Sequence, residues 1–576
     1  MNKPIPRPEH PEPMFKRESW LNLNGEWDFE IDNSVSGLER GYFKPDTALN
    51  SKIIVPFCPE SELSGVNFKD FMAAVWYRKE INLSAEQVRG NVLLHFGAVD
   101  FCATVYINGS NAGVHKGGYA SFTLDITKFV REGKNVITVY ALDDVRSPMQ
   151  ARGKQSEEFH SHACDYTRTT GIWQTVWLEF VPEDYIKSVK YIPDPENVCL
   201  GITAFVKGRG TLKAEAFFGG KCVGSAQVSV TSGTAAFTLP LTEKHLWEVN
   251  KGGLYDLVFT FGEDRVESYF GLRDLCLDGY KFLINGKSVF QRLVLDQGFY
   301  PDGIYTAPTD EALINDIKLS QAVGFNGARL HQKVFEARFL YHCDRLGYIV
   351  WGEYGNWGLD YSDFSVIKNV LPEWTEIVER DFNHPAIVGW CPFNETWDYR
   401  GRQQDKEVLR VIYRTTKALD RTRPCIDTSG NYHVETDIFD VHDYDQNPET
   451  FKEHYDALME DGELFSQLEN RRPNRQIYEG GPTFVSEYGG IKWSVSSGDS
   501  KAWGYGDAPK SIDEFMTRYK GLTDALLDNN CMFGFCYTQL YDIEQEQNGI
   551  YTYSREAKFD CDALKAINSR KAKIED

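Results

Sequence analysis

The chain has 576 residues, 42% of them hydrophobic, and a net charge of −22 from 84 acidic against 62 basic side chains. That length calls for roughly three or four domains, and the acidic excess argues against nucleic acid or an anionic membrane as partner. No apolar run approaches the ~20 residues that span a bilayer, and Met1-Asn2-Lys3-Pro4-Ile5-Pro6-Arg7-Pro8 has no apolar signal core, so the expected location is cytoplasmic.

From Trp20 to about Val181 short alternating strands follow one another between turn signals. Val92–Phe96, Ala103–Ile107 (with Asn108-Gly109 as a hairpin turn), Val136–Ala141 and Thr175–Phe180 are examples. This density predicts a jelly-roll β-sandwich over residues 1–182. Residues 183–273 carry a second strand set, including Leu212–Phe218 and Tyr255–Thr260, in a segment of immunoglobulin-like size with a spacer role.

Beyond residue 274 strands alternate with helices. Expected strands are Val289–Leu295, Phe325–His331, Tyr348–Glu353, Ala386–Phe393, Pro424–Thr428, Ile438–Tyr444, Thr483–Glu487 and Met532–Gln539. Thr309 reads as an N-cap with Leu313 and Ile317 on the buried side of its helix, and Phe335–Leu346, Val366–Arg380 and Ile512–Leu527 read as further helices. The pattern predicts a C-terminal (β/α)₈ TIM barrel over 274–576, and with it a multidomain β plus α/β protein.

Two barrel strands run into carboxylates. Ala386–Phe393 ends in Asn394 and Glu395, and Thr483–Ser486 ends in Glu487. Strand C-termini are where barrel enzymes keep reactive groups, so the pair suggests a general acid/base and a nucleophile for glycoside hydrolysis. The alternative for Glu395 alone is a first-turn acid on the following helix. Aromatic content of 14% suits stacking on sugar faces and equally suits sandwich cores. The twelve cysteines show no zinc spacing. Cys102, Cys343, Cys391 and Cys536, set among apolar neighbours, are expected as buried free thiols.

With these pieces the chain resembles glycoside hydrolase family 2, the family of β-galactosidases, β-glucuronidases and β-mannosidases. Arg380-Asp381-Phe382-Asn383-His384-Pro385 leading to Asn394-Glu395 resembles the family's acid/base signature, and Ser486-Glu487-Tyr488-Gly489 its nucleophile. The resemblance implies retention through a covalent glycosyl-enzyme and release of single sugars from non-reducing ends. It implies that Glu395 and Glu487 are catalytic. It also implies that Asn394 binds the 2-hydroxyl, Tyr444 touches the nucleophile, Arg329 orients it, and Asp165 reaches into the barrel mouth from the jelly roll. His331 and His442 are further candidate contacts. Asn548, in Asn548-Gly549-Ile550, resembles a galactosidase loop residue on the far side of the sugar. Glucuronidases carry an Asn-x-Lys there, where this chain has Glu546-Gln547-Asn548.

Two departures stand out. The first strand ends in Leu295-Asp296-Gln297-Gly298 rather than a histidine-rich turn, leaving Asp296 or Gln297 as replacement. After strand three Glu353-Tyr354-Gly355 lacks the family's Glu-x-His, so no metal and no other cofactor is expected. Glu353 itself is either substrate-binding or structural. The expected substrate is a small-molecule glycoside or oligosaccharide, most concretely a neutral β-galactoside. A β-glucoside, α-L-arabinopyranoside, β-mannoside and β-glucuronide are the alternatives, and a non-catalytic carbohydrate-binding protein or a transglycosidase the more distant ones. A homo-oligomer is compatible with the family.

Overall fold

The structure, a computed structural model, describes residues 4–466, 476–495 and 501–575. Two antiparallel sheets build the N-terminal sandwich. One has six strands, Ser51–Val55, Gly25–Ile31, Ala74–Leu83, Gly133–Leu142, Cys102–Ile107 and Ser110–Lys116; the other has four, Trp20–Asn22, Val176–Val181, Asn91–Phe96 and Phe122–Asp125. Alternation places Trp27, Phe29, Val75, Tyr77, Val105 and Val139 between the sheets, as a half-buried strand pattern requires.

A three-stranded and a four-stranded sheet follow between Tyr185 and Gly271, packed over their own core around Tyr191, Leu212 and Phe259. The third core is the largest and fills the C-terminal part. Seven parallel strands line it in the spatial order Ile387–Cys391, Ile349–Glu353, Gly327–Leu330, Gln291–Asp296, Gly534–Thr538, Val485–Gly489, Val441–Asp443. Helices Asp310–Ala322, Ala337–Leu346, Ile367–Asp381, Lys406–Leu419, Pro448–Glu460 and Ile512–Leu527 cover it. Thr309 caps the first through Ala312 N–H, with Leu313 and Ile317 buried.

The expected strand Pro424–Thr428 is reduced to one bridge, Trp390 with Cys425, with a second, Asn394 with Ser429, just beyond its end. Pro424 has no N–H to give, and the Asp427 carboxylate accepts the backbone N–H groups of Val434 and Glu435, drawing the chain into a loop. All twelve cysteines are unpaired; Cys343, Cys391 and Cys536 are buried, whereas Cys102 is only half-buried. Among the described residues no helix is long and apolar enough to cross a membrane.

The jelly roll docks directly on the barrel. Tyr119 N–H donates to Glu373 at 2.7 Å, and the backbone N–H groups of Arg152 and Gly153 donate to the carbonyls of Trp357 and Gly355, both at 2.8 Å. Gly153 has φ +58°, and a Cβ there would stand 2.3 Å from the Gln332 carbonyl, so only glycine lets this loop approach the barrel mouth.

Candidate active site

Glu395 and Glu487 emerge from strands on opposite flanks of the parallel sheet, and one oxygen of each lies within 4.8 Å of the other. Glu487 lies inside its strand, Val485–Gly489, where the pairing with both neighbouring strands shifts register. Glu395 instead leaves its strand in the left-handed region, φ +48°, a strained conformation for a side-chain-bearing residue. Its neighbours enforce it: Glu395 N–H donates to the Ser429 carbonyl at 3.0 Å, and Asn356 grips both the N–H and the carbonyl of Asn394.

Arg329, 1% exposed, ties the floor together. It donates to both oxygens of Glu353 at 2.6 and 3.2 Å, to Glu487 at 3.1 Å, to the Ser486 carbonyl at 2.9 Å and to Asn394 Oδ1 at 2.8 Å. Glu353 is therefore an anchor for Arg329, with both oxygens spent, and not a substrate ligand. Tyr444 donates to the second oxygen of Glu487, and its ring stacks on Tyr505 at 3.5 Å.

His442 lies between the two glutamates, with Nδ1 2.7 Å from Glu395 and Nε2 3.5 Å from Glu487. Burial disfavours charge on it, but Glu487 and the hydrogen bond to Glu395 outweigh burial and raise the imidazole above its usual range. Its Nε2 also faces Ser429 Oγ at 3.0 Å, and that hydroxyl donates to Asp440. A protonated His442 is thus fully accommodated as a donor. Glu395, Glu487 and His442 have the spacing of a cation-binding trio, and a cation there would have to displace the imidazole proton.

Burial pushes Glu395 upward, but His442, Lys154 and Arg329 outweigh it and hold the carboxyl below its usual value. The His442–Glu395 contact thus raises the imidazole and lowers the carboxyl.

His331 Nε2 lies 3.4 Å from Glu487, and its Nδ1 is 2.9 Å from Gln297 Oε1. Gln297 in turn donates to Gln539 at 2.9 Å. Of the two first-strand candidates it is Gln297 that joins this network. Asp296 accepts from Tyr541 and from Gly298 N–H behind it, a structural role that its position at the strand tip concealed.

The far wall comes from both ends of the chain. Asp165 accepts from Arg152 at 2.5 Å, and its carbonyl accepts from Gln545 at 3.0 Å. Asn548 donates to Glu546 at 3.0 Å and leaves Oδ1 buried without a partner. Gln539 Nε2 and Asn394 Nδ2 are likewise buried and unpartnered. The cavity therefore presents both donors and acceptors. Lys154, which no sequence period or motif marked, enters from the Gly153 loop. Its side chain is 5% exposed, and its ammonium lies 3.8 Å from Glu546 and 5.5 Å from the rings of Tyr166 and Trp357. Trp357 Nε1 donates to the Asn394 carbonyl at 3.1 Å, which places this wall over the acid/base strand.

Two family models match the chain, "Glycosyl hydrolases family 2, sugar binding domain" over residues 21–182 and "Glycosyl hydrolases family 2, TIM barrel domain" over residues 277–503. A putative β-glucuronidase of Formosa agariphila is 29% identical over 56% of this chain and 40% of its own length. A β-galactosidase of Thermoanaerobacter pseudethanolicus is 26% identical over 66% of this chain and 52% of its own. The chain thus spans about half the length of these curated relatives. A solved β-glucuronidase structure from an uncultured Clostridium sp. shares the fold, with TM-score 0.77 and 20% identity over 96% of this chain and 98% of that one.

Proposed function

We propose that this chain, a member of glycosyl hydrolase family 2, is a retaining exo-β-glycosidase that releases a terminal hexose through a covalent glycosyl-enzyme. The observation that carries the reading is the approach of Glu395 and Glu487 to within 4.8 Å, which suits direct attack rather than an interposed water. Glu487 is the nucleophile: Arg329 and Tyr444 donate to its two oxygens and hold it aimed. Glu395 protonates the departing glycosidic oxygen with the proton shared by His442, then, as a base, activates the water that cleaves the intermediate. Asn394, whose Nδ2 is buried and unpartnered, is assigned to donate to the 2-hydroxyl.

For the sugar we favour a neutral β-hexoside, with β-galactoside as the specific assignment. Asp165, Glu546 and Asn548 offer acceptors on the far wall, while Lys154 and Gln539 offer donors. A hydroxyl both accepts and donates, whereas a carboxylate only accepts and would be repelled by Asp165 and Glu546. A β-glucuronide is the second reading, favoured by the Lys154 cation and by the names of two of the relatives above. Unpaired cysteines support work in a reducing compartment such as the cytoplasm.

The test is hydrolysis of aryl β-glycosides of galactose, glucose, mannose, glucuronate and arabinopyranose. Galactoside is expected to be cleaved fastest, and Glu487→Gln to abolish turnover. A wild type that cleaves none of them, or a Glu487→Gln protein with wild-type rates, would overturn the reading.

A further inference from the structure

Lys154 is a buried ammonium inside the pocket, and it donates no hydrogen bond to any of the described residues. Its nearest anion is Glu546 Oε2 at 3.8 Å, beyond hydrogen-bonding range. Glu546 is meanwhile engaged elsewhere, accepting from Tyr166 OH and from Asn548 Nδ2 at 3.0 Å. A lysine with three N–H groups in a nearly dry site is costly unless an acceptor arrives.

The loop that carries Lys154 is built for this position. Gly153 allows the approach to Gln332, the Lys154 carbonyl accepts from Tyr166 N–H at 2.7 Å, and the side chain runs beside the Tyr166 and Trp357 rings. Lys154 and Asp165 come from the jelly roll, and Glu546 and Asn548 from the barrel, so the ammonium sits where the two domains close one wall.

We propose that Lys154 is a substrate-binding residue donating to the sugar edge remote from the anomeric carbon, and that Glu546 sets the charge of that edge by compensating it. The inference rests on the glycosidase reading and adds the residues that decide between a neutral and an acidic sugar. With Glu546 ionised the pair is neutral overall, and a hydroxyl accepts from Lys154 while donating to Glu546. With Glu546 neutralised the lysine is an uncompensated cation fitted to a uronate carboxylate.

The experiment compares kcat/KM for aryl β-glucuronide and aryl β-galactoside in the wild type, Glu546→Gln, Lys154→Met and the double variant. Glu546→Gln keeps an acceptor for Tyr166 and is expected to raise the glucuronide-to-galactoside ratio ~10-fold or more. Lys154→Met is expected to lower galactoside kcat/KM by ~10- to 100-fold, the loss of one charged hydrogen bond. The double variant should lose the gain in ratio. A ratio unmoved by Glu546→Gln, or a gain that survives removal of Lys154, would overturn the inference. Calorimetric binding of free D-glucuronate and D-galactose to the same proteins separates it from the catalytic reading. Glucuronate affinity that rises in Glu546→Gln and vanishes in the double variant upholds Lys154 even if no glycoside is turned over. Unchanged affinities sink it even if galactoside is cleaved.

Discussion

His442 Nδ1 stands 2.7 Å from Glu395 Oε1, and this contact determines where the acid proton waits. His442 first, then Lys154 and Arg329, hold the Glu395 carboxyl below its usual value against the effect of burial. The imidazole, raised by Glu487 and Glu395 against the effect of burial, stores the proton instead. The two groups titrate as a pair.

Replacing His442 with Gln tests that storage. In the wild type the pair gives up its proton above the usual imidazole value of 6.5, so the basic limb of kcat/KM lies above that pH. In His442→Gln the proton sits on Glu395 alone, a carboxyl freed of the imidazole that held it below its usual value. The limb should move off its wild-type position, measured on a substrate with a poor leaving group. An unmoved limb would remove His442 from the proton path.

Glu395→Ala should divide substrates by leaving group. Poor leaving groups need protonation of the departing oxygen and should lose ~10²- to 10⁴-fold in kcat/KM, while activated aryl glycosides lose far less. Azide should restore deglycosylation by replacing the base-assisted water and yield the β-glycosyl azide. Equal losses on both substrate types, with no azide product, would mean that Glu395 is not the acid/base.

The barrel was legible because its strands are apolar runs ending in turn or polar signals, and Glu395 and Glu487 stood out as charges at the ends of two of them. The same logic misplaced Pro424–Thr428, whose composition is strand-like but which keeps a single bridge, at Cys425, while its Asp427 carboxylate binds N–H groups of the following loop. It gave Asp296 and Gln297 equal standing, since a sequence does not say which tip residue turns toward Tyr541. Lys154 was invisible for a deeper reason. Its role depends on contacts with Glu546, 392 residues later in the chain, and a lysine in an irregular loop is ordinarily solvated surface.

Glu60 makes a stability prediction distant from the catalytic pair. It is fully buried in the jelly roll, and burial, with a contribution from Asp143, raises it from 4.5 to about 8 although Thr170 N–H donates to it. The folded state therefore holds this proton more tightly than the unfolded chain. The associated stability is complete below about pH 4.5 and is lost as pH rises through about 8. At about 1.4 kcal/mol per tenfold change in proton affinity, the swing is several kcal/mol. The Tm of the wild type minus that of Glu60→Gln should fall steadily from pH 5 to pH 8.5; parallel Tm profiles would refute it.

Gly153→Ala should damage binding of the sugar without disturbing the catalytic pair. A methyl at φ +58° carries a left-handed backbone penalty of about 1–2 kcal/mol and meets the Gln332 carbonyl at 2.3 Å and Tyr119 OH at 2.8 Å. The carbonyl belongs to the barrel mouth and cannot yield, so the loop must lift. Lifting it withdraws Lys154 from Glu546 and Arg152 from Asp165. Glu395, Glu487, His442 and Arg329 are held by barrel contacts and stay in place. kcat/KM should therefore fall ~10-fold or more, with most of the loss in KM, the signature of weakened binding common to ground and transition states. Gly286→Ala is the control: φ is +71° there, but no atom lies within 4 Å of an added Cβ. It bears the same backbone penalty, so its Tm should drop by a similar small amount while kcat/KM is unchanged. If both variants lose activity equally, or if Gly153→Ala loses kcat with KM intact, the loop does not act through the sugar edge.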